Sequence, residues 1–138
     1  MERVAILGPA RKETQIELAA TDARKLGVDA PVRLSGHLEG TPGIRIIAEN
    51  GNEVNPDHGC IVAQRHVHLT LDDAKALGVE QNQIIELKID TGMNRALTFG
   101  DVVVRIEADD DTSVVHLDTD EGNAACTGGW CKGTCIAG

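Results

Sequence analysis

Aromatic side chains are almost missing from this chain: Phe99 and Trp130 stand alone, and there is no tyrosine. A surface that stacks single-stranded nucleic acid needs aromatic faces, so the composition argues against that function. Positive charge is also in deficit, with 13 Lys and Arg against 22 Asp and Glu and a formal net charge of −9. Binding a phosphate backbone takes clustered cations, which this balance opposes. The acidic surplus serves solubility, although a local group such as Arg11-Lys12 still suffices for one small anion. The only serines are Ser35 and Ser113. Neither has an evident base beside it, and no Gly-rich phosphate loop or nucleophile elbow is present, so a serine nucleophile is not expected. No apolar run approaches a transmembrane helix, and the opening MERVAILGPARKE lacks the apolar centre of a signal peptide. The sequence therefore predicts a cytoplasmic, reducing compartment, with neither nucleic acid nor membrane as partner. Of the four cysteines, Cys60 stands apart, while Cys126, Cys131 and Cys135 crowd the C-terminus at spacings unlike a zinc knuckle or redox pair.

What the chain does have is Val, Ile, Leu and Ala in short runs separated by Gly, Asn, Asp and Pro. This pattern predicts a mainly β fold of short strands with helices of one to two turns. Expected strands include Val4–Leu7, a long Cys60–Leu69, Ile84–Ile89, a separate pair at Arg95–Phe99 and Val102–Glu107, and Ser113–Leu117. Asn50-Gly51 signals a hairpin turn. Many short strands in 138 residues point to two small β-barrels capped by short helices. Residues 1–62 would form the first barrel, 63–125 the second, and 126–138 an irregular Gly/Cys-rich tail.

The strongest pattern is an internal repeat. RHVHLTLDDAKALGV has a weak upstream copy, TQIELAATDARKLGV, and a shorter downstream one, VVHLDTDEGNAA. Aligned, the three copies place Glu17, His68 and His116 at one position, and all three side chains can ligate a metal. Thr70 with Asp73, and Asp118 with the carboxylates after it, look like helix starts; Thr21 is a weaker one. Gly27 and Gly78 look like helix stops.

His66 and His68 share one face of a strand, about 6.6 Å apart at Cα, so both imidazoles can reach one ion. His116 would complete a three-histidine site with open positions, and Asp118 or Asp120 would orient the rings. Zinc suits imidazole best, and nickel, copper and iron also fit. The bland alternative is a pair of strand-end histidines bonded to backbone. Glu17, with Gln15 beside it, reads either as a ligand of a second metal or as a solvent-facing polar pair. Arg11, just past Gly8-Pro9, reads either as a bidentate grip on phosphate or carboxylate or as a solvated turn. Arg65 points away from His66 and reads as structural; His37 and His58 read as surface loop residues.

LGPARKETQIE, IVAQRHVHLT, the run from Phe99 to Arg105 and VVHLDTDEGNAA together resemble the PduL-type phosphate acyltransferases (phosphotransacylases) of bacterial microcompartments. The resemblance covers Val4 to Ala125. It implies two helix-capped β-barrels sharing two zinc ions, and interconversion of acyl-CoA plus phosphate with acyl phosphate plus CoA. It also implies that His66, His68 and His116 bind one zinc, that Glu17 helps bind the other, and that Arg11 holds phosphate. The resemblance implies a preceding segment with a further His-X-His pair, and this chain is expected to lack it. The barrels are therefore expected to be incomplete, and the chain to self-associate or to pair with a chain supplying that segment. The alternative is a non-catalytic zinc-binding barrel acting as an assembly or interaction module. An unrelated metal-dependent hydrolase on the same histidines is a third reading.

Overall fold

A computed structural model describes residues 1–108 and 111–138. The architecture is mainly β with short helices, and the chain divides into two compact units, Met1–Ala63 and Gln64–Gly138.

In the first unit, β1 (Ile16–Glu17), β2 (Val32–Arg33) and β5 (Cys60–Ala63) form a parallel sheet in the order β1-β5-β2. Its middle strand carries Cys60, Ile61 and Val62, all buried, as a strand flanked on both edges should. A hairpin of β3 (Ile46–Ile47) and β4 (Glu53–Val54) turns at Asn50-Gly51, where the Asn50 side chain accepts from Asn52 N and Gly51 takes a positive φ. The strand expected at Val4–Leu7 does not form: it pairs with no described strand, and Ile6 is 96% exposed. β-branched composition favours a strand only where a neighbour offers pairing and burial.

The second unit is a curled half-barrel of five strands in the order β10-β7-β8-β6-β9. The strands are β6 (His66–Leu69), β7 (Ile84–Ile89), β8 (Leu97–Ile106), β9 (Val114–His116) and β10 (Gly133–Ile136). Strict alternation in β7 buries Ile85, Leu87 and Ile89, which pack with Val67, Leu69, Phe99, Val102 and Val104. Three sequence expectations change here. The long Cys60–Leu69 strand is broken at Gln64-Arg65 into β5 and β6. The two strands expected around Gly100 are one, because Gly100-Asp101 forms a bulge against Glu86, with Asp101 at φ 53°, instead of a turn. The Cys-rich tail is not irregular: Gly133–Ile136 pairs antiparallel with β7, placing Cys135 opposite Leu87.

The repeat has a structural basis. Three seven-residue helices, α1 (Ala20–Leu26), α2 (Leu71–Leu77) and α3 (Thr119–Ala125), each follow a strand directly. Each ends on a left-handed residue, Gly27, Gly78 or Cys126, whose N–H and that of the next residue close the last turn. The N-caps are Ala19, Thr70 and Asp118, so Glu17, His68 and His116 each lie two residues before a cap. Thr21 is thus inside α1 rather than its start. Ala19 has no capping side chain, which is why that signal was weak in sequence.

Candidate metal centre and anion site

In the second unit, alternation along β6 sends Val67 into the core, at 1% exposure, and His66 and His68 to the opposite face. β9 lies antiparallel beside β6 with His116 directly across from His66. Three imidazoles from two strands therefore meet, with ring centroids 4.9 to 5.0 Å apart. Their candidate ligand atoms all lie within 4.8 Å of one another. The Nδ1 of His66 bonds the Gln64 carbonyl at 2.9 Å, and the Nδ1 of His68 meets a Glu107 carboxylate oxygen at 3.1 Å. Bonds of this kind restrain ring orientation and favour Nε2 as the candidate ligand atom of both rings. A set of three nitrogen donors at this spacing fits a zinc-sized cation that keeps an open coordination position.

The framework around the trio is tied at several points. Asp118 caps α3, accepting from Glu121 N at 2.8 Å while Glu121 accepts from Asp118 N at 2.9 Å. Asp118, one of the two carboxylates expected to orient the rings, is thus engaged in a capping box, and Glu107 makes a contact of that kind to His68. Sequence reading missed Glu107 because its position follows from β6 pairing in parallel with β8, Leu69 against Ile106. Arg65 is structural, as its neighbour's orientation implied: it pairs with Glu121 at 2.6 Å, bonds Gly100 O at 3.0 Å and lies over the Phe99 ring. Ser113 bonds the Asp73 carboxylate and accepts from Thr70 N, fastening the start of β9 to α2.

In the first unit, Arg11 and Glu17 belong to one hydrogen-bonded group. Arg11 donates to Ser35 Oγ at 2.9 Å, and Gln15 Nε2 donates to both Ser35 Oγ at 2.9 Å and Glu17 Oε1 at 2.6 Å. Gln15 Oε1 in turn accepts from Gly36 N at 2.7 Å. Ser35 joins this group through a contact 24 residues distant from Arg11, which no local motif signals. Among the described residues, Glu17 belongs to no cluster of three potential metal ligands. His58 pairs with Glu13 at 3.4 Å, and His37 is exposed, both lining an open surface depression as expected of loop residues. Burial raises the Cys60 thiol above its ordinary range; burial and then the Asp73 charge raise Cys135. Both are protonated at neutral pH and unsuited to thiolate chemistry. No helix is long and apolar enough to cross a membrane among the described residues.

The family model described as phosphate propanoyltransferase matches residues 1–128. Phosphate propanoyltransferase of Thermotoga maritima is 49% identical over 125 residues, covering 91% of this chain and 58% of that protein. The Listeria monocytogenes protein of the same name is 48% identical over 90% of this chain and 56% of its own length. For the Salmonella typhimurium protein of that name the identity is 43%, over 91% of this chain and 58% of the relative. The chain thus spans a little under three fifths of the relatives it matches.

Proposed function

The chain belongs to the phosphate propanoyltransferase family, and from that membership we propose that it acts in transfer of a short acyl group between coenzyme A and phosphate. The observation that carries this reading is the convergence of His66, His68 and His116, in a chain whose Arg11 and Glu17 also share one hydrogen-bonded group. In the reaction a phosphate oxygen attacks the thioester carbonyl carbon. The C–O bond forms, the C–S bond breaks, and coenzyme A leaves as a thiolate that takes up a proton. His66, His68 and His116 would hold zinc, whose chemistry when bound is Lewis-acid stabilisation of charge on a carbonyl oxygen or a departing thiolate. Arg11 grips phosphate with the N–H groups that Ser35 does not use, lowering the repulsion between anionic reactants and fixing the attacking oxygen. Glu17, its carboxylate held by Gln15, would contribute one ligand to a second zinc. No side chain forms a covalent intermediate, in keeping with the protonated thiols of Cys60 and Cys135. The substrates on this reading are propanoyl- or acetyl-CoA and phosphate, and its place is the cytoplasm or a bacterial microcompartment.

The test is thiol release from propanoyl-CoA by zinc-loaded protein, with the unmatched part of a relative supplied in trans. Release that needs phosphate and stops with a chelator supports the proposal, and its absence sinks it. A second reading, a non-catalytic zinc-binding assembly module, is favoured by Glu17 standing outside any three-ligand cluster among the described residues. One zinc per chain without turnover would select that reading; two zincs with turnover would select the enzyme.

A further inference from the structure

We propose that Arg65 is a positioning residue for the histidine trio, closing a ring of bonds that holds His116 against His66. This rests on the reading that His66, His68 and His116 hold a metal. His66 and His116 face each other across the β6–β9 pair. β6 is also held on its other side, by β8. β9 is three residues long and, among the described residues, pairs with β6 alone, the kind of short edge that opens locally. His116 is its last residue, and Asp118, two positions on, is the N-cap of α3. A second hold on this end of β9 comes through α3, and Arg65 supplies it. Its Nε–H meets Glu121 Oε1 at 2.6 Å, while Glu121 Oε2 accepts from Asp118 N at 2.9 Å. The ring runs from His66 to Arg65, Glu121, Asp118, Leu117 and His116, then back to His66 through the strand pair. Two of the three imidazole-bearing residues are members of it.

Several features set this contact apart from an ordinary surface ion pair. The Arg65 and Glu121 side chains are 30% and 16% exposed, so water screens the pair less than it would an open one. The guanidinium works in more than one direction. Nη1 donates to Gly100 O at 3.0 Å, and Cζ lies 5.3 Å from the centre of the Phe99 ring. Gly100 belongs to the bulge where β8 falls out of step with β7, so Arg65 ties α3 to β8 as well as to β6. Only a rigid fork can serve these partners at once; a lysine ammonium is a single point charge. Arg95 and Thr91 fasten the other end of α3, bonding Ala124 O and Ala125 O. Arg65 therefore acts at the end of the helix nearest His116. A metal binds tightest where its ligands are already placed, because ordering them on binding costs affinity. Opening the ring at Arg65 frees the end of β9, and His116 must then be ordered by the metal itself.

The test is titration of the full chain with cobalt, read from its visible spectrum, and with zinc by competition. Arg65→Met keeps the apolar stem without the fork, and Glu121→Gln keeps a capping-box acceptor without the charge. The methionine variant should bind roughly tenfold more weakly with an altered cobalt spectrum, and the glutamine variant about threefold more weakly. Added to Arg65→Met, Glu121→Gln should cost less than about twofold more, since its partner is already gone. Ile89→Val, a core change outside the ring, lowers stability but should leave affinity within about twofold, separating placement of a ligand from general destabilisation. Should Arg65→Met fail to melt cooperatively, Arg65→Lys replaces it, with a loss of about threefold or more. Unchanged affinity and spectrum in the folded Arg65 variant, an equal loss in Ile89→Val, or additive losses in the double variant overturn the proposal and leave the trio standing. Wild-type protein that binds no cobalt, or binds it equally as His68→Ala, overturns the metal reading and this one with it.

Discussion

Removing the Glu107 carboxylate should weaken metal binding at the histidine trio without dismantling the fold. Glu107 follows the end of β8 and places Oε1 3.1 Å from Nδ1 of His68, restraining that ring beside the other two imidazoles. Loss of such a supporting group generally costs about 10- to 100-fold in metal affinity. The Glu107 side chain is 49% exposed, so water screens the charge and competes for the ring N–H, and the effect belongs at the low end. Glu107→Ala should therefore lower zinc affinity roughly tenfold, about 1.4 kcal/mol, while Glu107→Gln, which keeps an acceptor oxygen, should lose about threefold or less. Competition with a chromophoric chelator measures the affinity, and cobalt substitution gives an independent spectrum of the ligand field. Equal zinc affinity in wild type and the alanine variant would refute the claim that Glu107 orients His68. An equal loss in both variants would show that charge, not ring orientation, is what matters.

Other consequences can be checked separately. Leu87→Ala, at a core position with 1% exposure, should cost about 2–5 kcal/mol in denaturant unfolding of the second unit. Asp118→Ala removes the side-chain half of the capping box and should cost about 1 kcal/mol in the same assay, with most of the fold retained. Gly59→Ala should destabilise the first unit by more than about 1 kcal/mol. Gly59 sits at φ 123° and an added Cβ would collide with the Thr14 carbonyl oxygen. The raised thiols set a pH direction. Because Cys60 and Cys135 hold their protons more tightly folded than unfolded, their contribution is complete below the ordinary thiol value of 9.0 and is lost as pH rises through the folded values. Unfolding free energy should fall above that pH, less so in a Cys60→Ala protein, and alkylation at neutral pH should reach exposed Cys131 before buried Cys60.

Local chemistry explains what sequence reading could reach. The three helices were legible because their stops or caps are side-chain or glycine signals: Thr70, Asp118, Gly27 and Gly78 each act within four residues of chain. The histidine trio was legible because the repeat fixes His68 and His116 relative to a helix cap and strand alternation puts His66 beside His68, and the β6–β9 pairing then needs only to bring two strands together. What escaped depends on distant partners. The bulge at Gly100-Asp101 is defined by β7, and the strand in the Cys-rich tail exists because β7 offers an edge to pair with. Ser35 reaches Arg11, and Glu107 reaches His68, only through tertiary placement. Val4–Leu7 shows the converse, strand-like composition that pairs with no described strand.

X-ray absorption at the zinc edge, on protein loaded with one equivalent of zinc, tests the metal centre most directly. Three imidazole nitrogens at about 2.0–2.1 Å, with the histidine signature reduced in His68→Ala, is the outcome expected of ligation by His66, His68 and His116. A shell of oxygen ligands alone, unchanged in that variant, would contradict it.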